Sequence, residues 1–354
     1  MRFPALIGCV VLWVSPVYSM EWSASAGTAT EYTNNSLQSS NDEQWDYTYI
    51  ARTNFDLAQH SAAYDLKANY AIEYSTFENK TQSDETAVNG ATNAHWYIFP
   101  SILTWDLSQQ NSRMKQQSGG VDTTDTRTTQ SVFSTGPSSA LRLTERDTLN
   151  LSAQAMDVST SGNTSNDSPR EVLTVGFTHL TSQIQSIGLK ATRQSVNYDT
   201  SLVPDVVLSQ NSVEWNRQYR FGRMQGAAGE SSSKRDTNGT KNGGFYQLYF
   251  DYGSSGHLLS LAAMESITDS MLGLYSPGFA VSFQVINGAS KDNFTAESTA
   301  LDVIDVIEDK QVDFNYSTSR LCTRCSMSMR ANLNVQDYDT QPLDKKSTSL
   351  QFAL

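Results

Sequence analysis

The chain has 354 residues, 10% of them aromatic, with a formal charge of -12 and a mean hydropathy of -0.44. Beyond the N-terminal segment no stretch carries the roughly 18 or more apolar residues of a spanning helix, which excludes a helical membrane protein. The acidic balance without a basic cluster excludes nucleic acid as a partner, and the aromatic content argues against disorder.

The first nineteen residues, MRFPALIGCVVLWVSPVYS, combine Arg2, an apolar run over Phe3–Val14, and the small residues Val17 and Ser19. That order predicts a signal peptide over 1–19, cut after Ser19. Residues 20–354 are then read as one domain. Export permits oxidation of cysteines.

Period-2 alternation recurs from there to the C-terminus, and this spacing predicts strands. In AAYDLKANYAIEYSTF, Tyr64, Leu66, Ala68, Tyr70, Ile72 and Tyr74 share one face, opposite Asp65, Lys67, Asn69, Glu73 and Ser75. Leu103, Trp105 and Leu107 alternate with Thr104 and Asp106. Tyr246, Leu248, Phe250 and Tyr252 alternate with Gln247 and Asp251. Val312, Phe314 and Tyr316 oppose Asp313 and Asn315, and Met327, Met329, Ala331, Leu333 and Val335 oppose Ser326, Ser328, Arg330, Asn332 and Asn334. The stretch Arg223–Ser231 is a weak strand, being rich in Gly and Ala. Arg217 falls on the face of Trp215 and Tyr219, which leaves two readings: it snorkels at an interface, or a bulge shifts the register.

Connections alternate in length. Short ones are expected near Ala58–Ser61, Pro100–Ser101, Thr144–Asp147, Thr181–Gln183, Phe221–Gly222, Gly253–Gly256 and Leu321–Cys325. Long polar ones are expected near Thr33–Glu43, Phe77–Gly90, Met114–Thr128, Ser159–Pro169, Tyr198–Leu208, Ser232–Gly243, Thr268–Asp309 and Thr340–Lys346. Pro137, after Gly136, interrupts a strand and predicts a bend or bulge.

About sixteen strands result, within a range of about fourteen to eighteen, each of roughly 10 residues, the length with which a tilted strand crosses a bilayer. Alternation alone also fits a soluble sandwich. Export, turns alternating with loops, aromatics near strand ends, and an alternating C-terminal segment, STSLQFAL, together point to one architecture. It is an all-β, transmembrane, antiparallel up-and-down barrel with short periplasmic turns and long extracellular loops. The closing strand is expected to pair with the first. Leu350, Phe352 and Leu354 are its apolar face; outer-membrane proteins usually end in Phe, where this chain has Leu354. A Gram-negative outer membrane, its lipid and its barrel-assembly machinery are the implied setting.

Little in the sequence proposes catalysis or a cofactor. The four histidines, His60, His95, His179 and His257, are read as turn or interfacial residues, and no phosphate loop or dinucleotide fingerprint occurs. Asp302, Asp305 and Asp309 in LDVIDVIED are spaced for a helix face that holds calcium, or equally for a solvated acidic loop, the reading adopted here. Cys322 and Cys325 lack the second pair a zinc site requires, leaving a local disulfide or two thiols in a turn. The inward-facing charges Lys67, Glu73, Asp106, Arg142, Asp251, Asp313 and Arg330 are the pore-lining candidates, in a lumen either open or filled by paired charges or by the Thr268–Asp309 loop.

EWSASAGTATEYTNNSL, with Glu31, Thr33, Asn34 and Asn35 at its turn, resembles the opening of an exported barrel family associated with PEP-CTERM and exopolysaccharide systems. The strand from Tyr64, Gly136–Pro137, LTERDTLNLSAQ and ESITDSMLG are also similar to that family. Asn34 stands where its members usually have Asp. The resemblance implies an outer-membrane barrel accompanying polysaccharide production or export, with exopolysaccharide or its export apparatus as a partner and no catalytic residues. Three functions follow as expectations: a pore or assembly partner for surface polysaccharide, a general diffusion porin, or a non-conducting structural or adhesive barrel.

Overall fold

A computed structural model describes residues 20–38, 43–115, 123–161, 167–199, 204–235, 239–254, 256–269, 306–322, 325–339 and 345–353. The expected signal peptide, Leu354, Asp302 and Asp305 lie outside these residues.

Among the described residues the chain forms sixteen strands. They are β1 (Met20–Thr33), β2 (Asp46–His60), β3 (Tyr64–Phe77), β4 (Glu85–Phe99), β5 (Leu103–Lys115), β6 (Arg127–Arg142), β7 (Asp147–Thr160) and β8 (Ser168–Ser182). The second half holds β9 (Gln185–Val196), β10 (Val206–Tyr219), β11 (Gly222–Arg235), β12 (Gly239–Ser254), β13 (His257–Asp269), β14 (Val306–Cys322), β15 (Cys325–Tyr338) and β16 (Lys345–Ala353). Every strand pairs antiparallel with its sequence neighbours in one sheet, the up-and-down order of a β-barrel. No rung joins β16 to β1 among the described residues, so the expected closing pair is not part of this structure; the outer rims of both strands are exposed.

Period 2 separates the two faces. One outer row runs through Leu149, Phe177, Leu189, Val213, Ala228 and Tyr246, each opposite the next on the neighbouring strand. The row three residues away, on the other face, runs through Thr104, Ser138, Ser152, Thr174, Thr192, Gln210 and Ser231. The apolar row is exposed, with Leu189 at 59% and Val213 at 53%, while Ser152, Thr174, Thr192 and Gln210 of the other row line a cavity. The sheet is therefore polar inside and apolar outside, the reverse of a water-soluble barrel.

The short connections fall where the sequence places them. Four of the long ones are shorter than expected at one side. β4 starts at Glu85 within Phe77–Gly90, β10 at Val206 within Tyr198–Leu208, and β14 at Val306 within Thr268–Asp309. β11 runs to Arg235 and β12 starts at Gly239, so most of Ser232–Gly243 is strand. The β11–β12 extension is polar on both faces, and a hairpin that rises beyond an apolar belt needs no alternation; the β10 and β14 extensions instead carry Val206, Leu208 and Val306 into a buried apolar cluster. Strands accordingly run to as many as 17 residues, longer than the expected ten. The weak stretch Arg223–Ser231 lies wholly inside β11.

At Gly136–Pro137 the β6–β7 rungs stop after Thr135↔Ala155 and resume at Ser138↔Ser152 in the same register. The expected bulge is therefore absent. Proline lacks the N–H a rung requires. A Cβ on Gly136 would sit 2.0 Å from the Ala153 carbonyl oxygen, so only glycine admits this approach. Arg217 keeps an unshifted register on both sides and lies 5.2 Å over the Tyr219 ring, which favours the snorkelling reading over a bulge.

Candidate functional site

The outer face has the chemistry of a surface that meets hydrocarbon. Phe177, Leu189, Val213, Val312, Leu350 and Phe352 are all exposed on it. A soluble protein rarely exposes an apolar patch above a few hundred Å², and here the apolar rows cross many successive strands. Aromatic side chains mark both rims. Tyr32, Trp45 and Tyr47 cluster at the end of the long connections, with ring centroids 5.1 to 6.5 Å apart. Trp22, Trp96, Trp105, Tyr219, Phe221 and Tyr252 ring the end with the short turns. Their apolar bodies and polar tips suit the boundary between lipid and water.

The inner face of β7–β14 encloses a cavity of about 580 Å³. Ser152, Thr174, Thr192, Gln210 and Gln247 line it with hydroxyls and amides. Lys190 and Glu214 face each other within it at 3.7 Å. At the loop end it meets an apolar cluster of Val196, Val206, Leu208, Ile267 and Val306, with Tyr198 against it.

The charged inner residues are largely matched across rungs. Glu73 faces Arg52 directly and pairs with its guanidinium. Arg113 reaches Glu73 at 3.7 Å and Glu85 at 3.2 Å, and Arg127 also reaches Glu85 at 3.2 Å. Asp106 binds His95 at 2.7 Å, and Asp251 faces Arg223 at 3.5 Å. Asp313 accepts from the Asn332 amide and, at 2.6 Å, from Gln311. Arg142 turns back to the Thr144 and Glu145 carbonyls at 3.3 and 3.2 Å, so it clasps a turn. Arg330 stands between Asn315 and Gln351, and Lys67 is exposed between Ala58 and Asn93.

The seven candidates thus share a face but are spread over β3, β5, β6, β12, β14 and β15. Sequence reasoning missed the partners. Arg52, Arg113 and Arg223 are distant in sequence from the carboxylates they match, and only the register joins them. Parity does place Arg52 opposite the face of Phe55, which was a usable signal.

All four histidines sit at turn-end rungs, each beside a polar partner: His60 with Asp65, His95 with Asp106, His179 with Asp147, and His257 with the Tyr316 hydroxyl. Among the described residues no group of three or more His, Cys, Asp or Glu is arranged to hold a metal. Asp309 belongs to β14 and not to a helix or loop. Cys322 and Cys325 end β14 and begin β15, directly opposite each other. The disulfide expectation concerns their side chains, which lie outside those described.

No family model and no curated protein matches the chain. Solved structures align over most of it. The outer membrane protein OprD from Pseudomonas aeruginosa is 10% identical, with 94% of this chain and 92% of that one covered and a TM-score of 0.39. OccAB3 of Acinetobacter baumannii is 8% identical, covering 95% and 98%, at 0.40. A BenF-like porin from Pseudomonas fluorescens Pf-5 is 8% identical, covering 94% and 97%, at 0.40. At such identities and scores the reading of this chain rests on its own geometry.

Proposed function

We propose that the chain is an outer-membrane barrel of a Gram-negative bacterium that forms a water-filled passage for small polar solutes. The observation that carries this is the segregation of its faces: polar and hydroxyl-rich inside, apolar and aromatic-rimmed outside, over sixteen strands. A strand of fourteen residues spans about 46 Å and, tilted about 45°, about 33 Å, which matches the roughly 30 Å hydrocarbon core. Short turns then face the periplasm and long loops the exterior. The matched inner charges suit general diffusion, because a wall that neutralises itself discriminates weakly between ions.

A second reading, an association with exopolysaccharide export, is favoured by the row from Thr104 to Ser231, whose hydroxyls and amides suit successive sugar hydroxyls. Single-channel recording of the purified, refolded chain tests both. Steady conductance supports the passage. Its block by polysaccharide fragments, and not by small sugars, favours the export reading. A silent membrane overturns both.

A further inference from the structure

At Asp309 the charge matching of the inner face breaks down in a buried setting. Asp309 lines the cavity and is 1% exposed. The Gln336 amide across its rung donates to the carboxylate, yet Oδ1 has no hydrogen-bond partner. No ion pair reaches Asp309 among the described residues. Lys190, the cavity's cation, is already matched by Glu214. Gln194 lines the same cavity at 9% exposure, and its Nε2 also has no partner.

An unmatched buried carboxylate is costly, because burial removes its water without supplying a compensating charge. An unpaired amide N–H adds the cost of a lost hydrogen bond. The residues that line one void therefore include a carboxylate and an amide with unmet hydrogen bonds, beside a margin of hydroxyls. We propose that this cavity is a binding site for small solutes that carry an ammonium group beside an oxygen acceptor. The ammonium sits on Asp309 Oδ1, and the oxygen accepts from Gln194 Nε2. Thr192 and Gln210 take up further polar groups of the solute. A neutral polyol satisfies Gln194 but leaves the carboxylate unmatched, and an anion is repelled. The role as a solute site rests on the passage reading above.

The test uses the refolded full chain in detergent and three probes of similar size: ethanolammonium, ethylene glycol and glycolate. Calorimetric titration is expected to give saturable binding of ethanolammonium about tenfold or more tighter than either other probe, the difference one charge-assisted hydrogen bond makes. Asp309→Asn is expected to erase that difference. Gln194→Leu, which leaves the carboxylate in place, is expected to weaken ethanolammonium while preserving its rank over glycolate. Equal binding of the three probes by a folded, conducting protein overturns the site and leaves the passage standing. Ethanolammonium binding without conductance overturns the passage reading and leaves the site. If Asp309→Asn does not assemble, Gln194→Leu decides: unchanged ethanolammonium affinity in that variant overturns the site.

Discussion

Arg223 and Asp251 face each other across the rung joining β11 to β12, Nε to Oδ1 at 3.5 Å, and the same guanidinium lies 5.3 Å over the Tyr249 ring. The arginine is thus held by two partners on β12, and its charge is cancelled where it would otherwise select anions. Arg223→Ala leaves Asp251 without its cation. The expected outcome is a shift of the reversal potential in a salt gradient toward cation preference, by roughly twofold in the permeability ratio at low salt and less at high salt. An unchanged ratio would place this pair off the conducting path.

The outer belt gives a sharper stability test. Leu189→Lys or Val213→Lys puts a charge in hydrocarbon and is expected to cost about 2–4 kcal/mol in urea unfolding from lipid vesicles. Thr192→Lys, one residue from Ala191 but on the inner face, is expected to cost far less. Equal losses at the two faces would contradict the assignment of lipid to the outer one.

In a bilayer the free rims of β1 and β16 are expected to pair, since each unsatisfied backbone group in hydrocarbon costs several kcal/mol. Parity fixes the faces that meet. Gln351 lies opposite Arg330 and Ser23 opposite Asp56, both on the inner face. With the native cysteines replaced by serine, Ser23→Cys is expected to cross-link with Ser349→Cys or Gln351→Cys within one chain, and not with Leu350→Cys. A cross-linked dimer instead would mean that a second copy fills the seam.

The connection at Cys322 and Cys325 is expected to be dispensable. A disulfide closing so short a loop stabilises by about 2 kcal/mol or less. The double variant Cys322→Ser, Cys325→Ser should refold and, like the unaltered chain, is expected to run faster on a detergent gel unboiled than boiled; failure to assemble would give these residues a larger role.

Between β3 and β4, Lys80 Nζ lies 3.0 and 2.9 Å from the two carboxylate oxygens of Asp84, which also accepts from the Phe77 N–H. The Lys80 hydrogen bond holds the Asp84 carboxyl below its ordinary value. A carboxyl depressed by folding supports the loop above its unfolded pKa and ceases to do so as pH falls through the folded one. Lys80→Met is therefore expected to move Asp84 upward in an NMR titration, and loosening of this loop should begin at higher pH in the variant.

The alternation at Tyr64–Tyr74 made β3 legible because one face meets an apolar surroundings and the other does not. The same rule failed at Ser232–Gly243 and Glu85–Gly90. At Ser232–Gly243 both faces are polar, and Ser, Asn, Gly and Lys read as loop; at Glu85–Gly90 the pair Ala87 and Val88 is too short to show a period among Glu, Thr, Asn and Gly. The turns were legible from Gly, Pro and Asp at strand ends. The charge matches were not, since Arg52–Glu73 and His95–Asp106 depend on registers that no local pattern states. Asp309 was visible as an acidic residue, but its burial in the cavity that Gln194 also lines depends on strands far apart in the sequence, β9 and β14.

The strictly sequential strand order also bears on how the molecule assembles. Each hairpin finds its partner among its nearest sequence neighbours, so the sheet can lengthen one hairpin at a time with little search. The seam alone would join segments from opposite ends of the chain. For a flexible loop of that length closure costs about 5 kcal/mol of entropy, although a sheet already curled spends less. Slow formation is therefore concentrated in a single late event, and a chaperone for this protein would have to shield two strand edges rather than many.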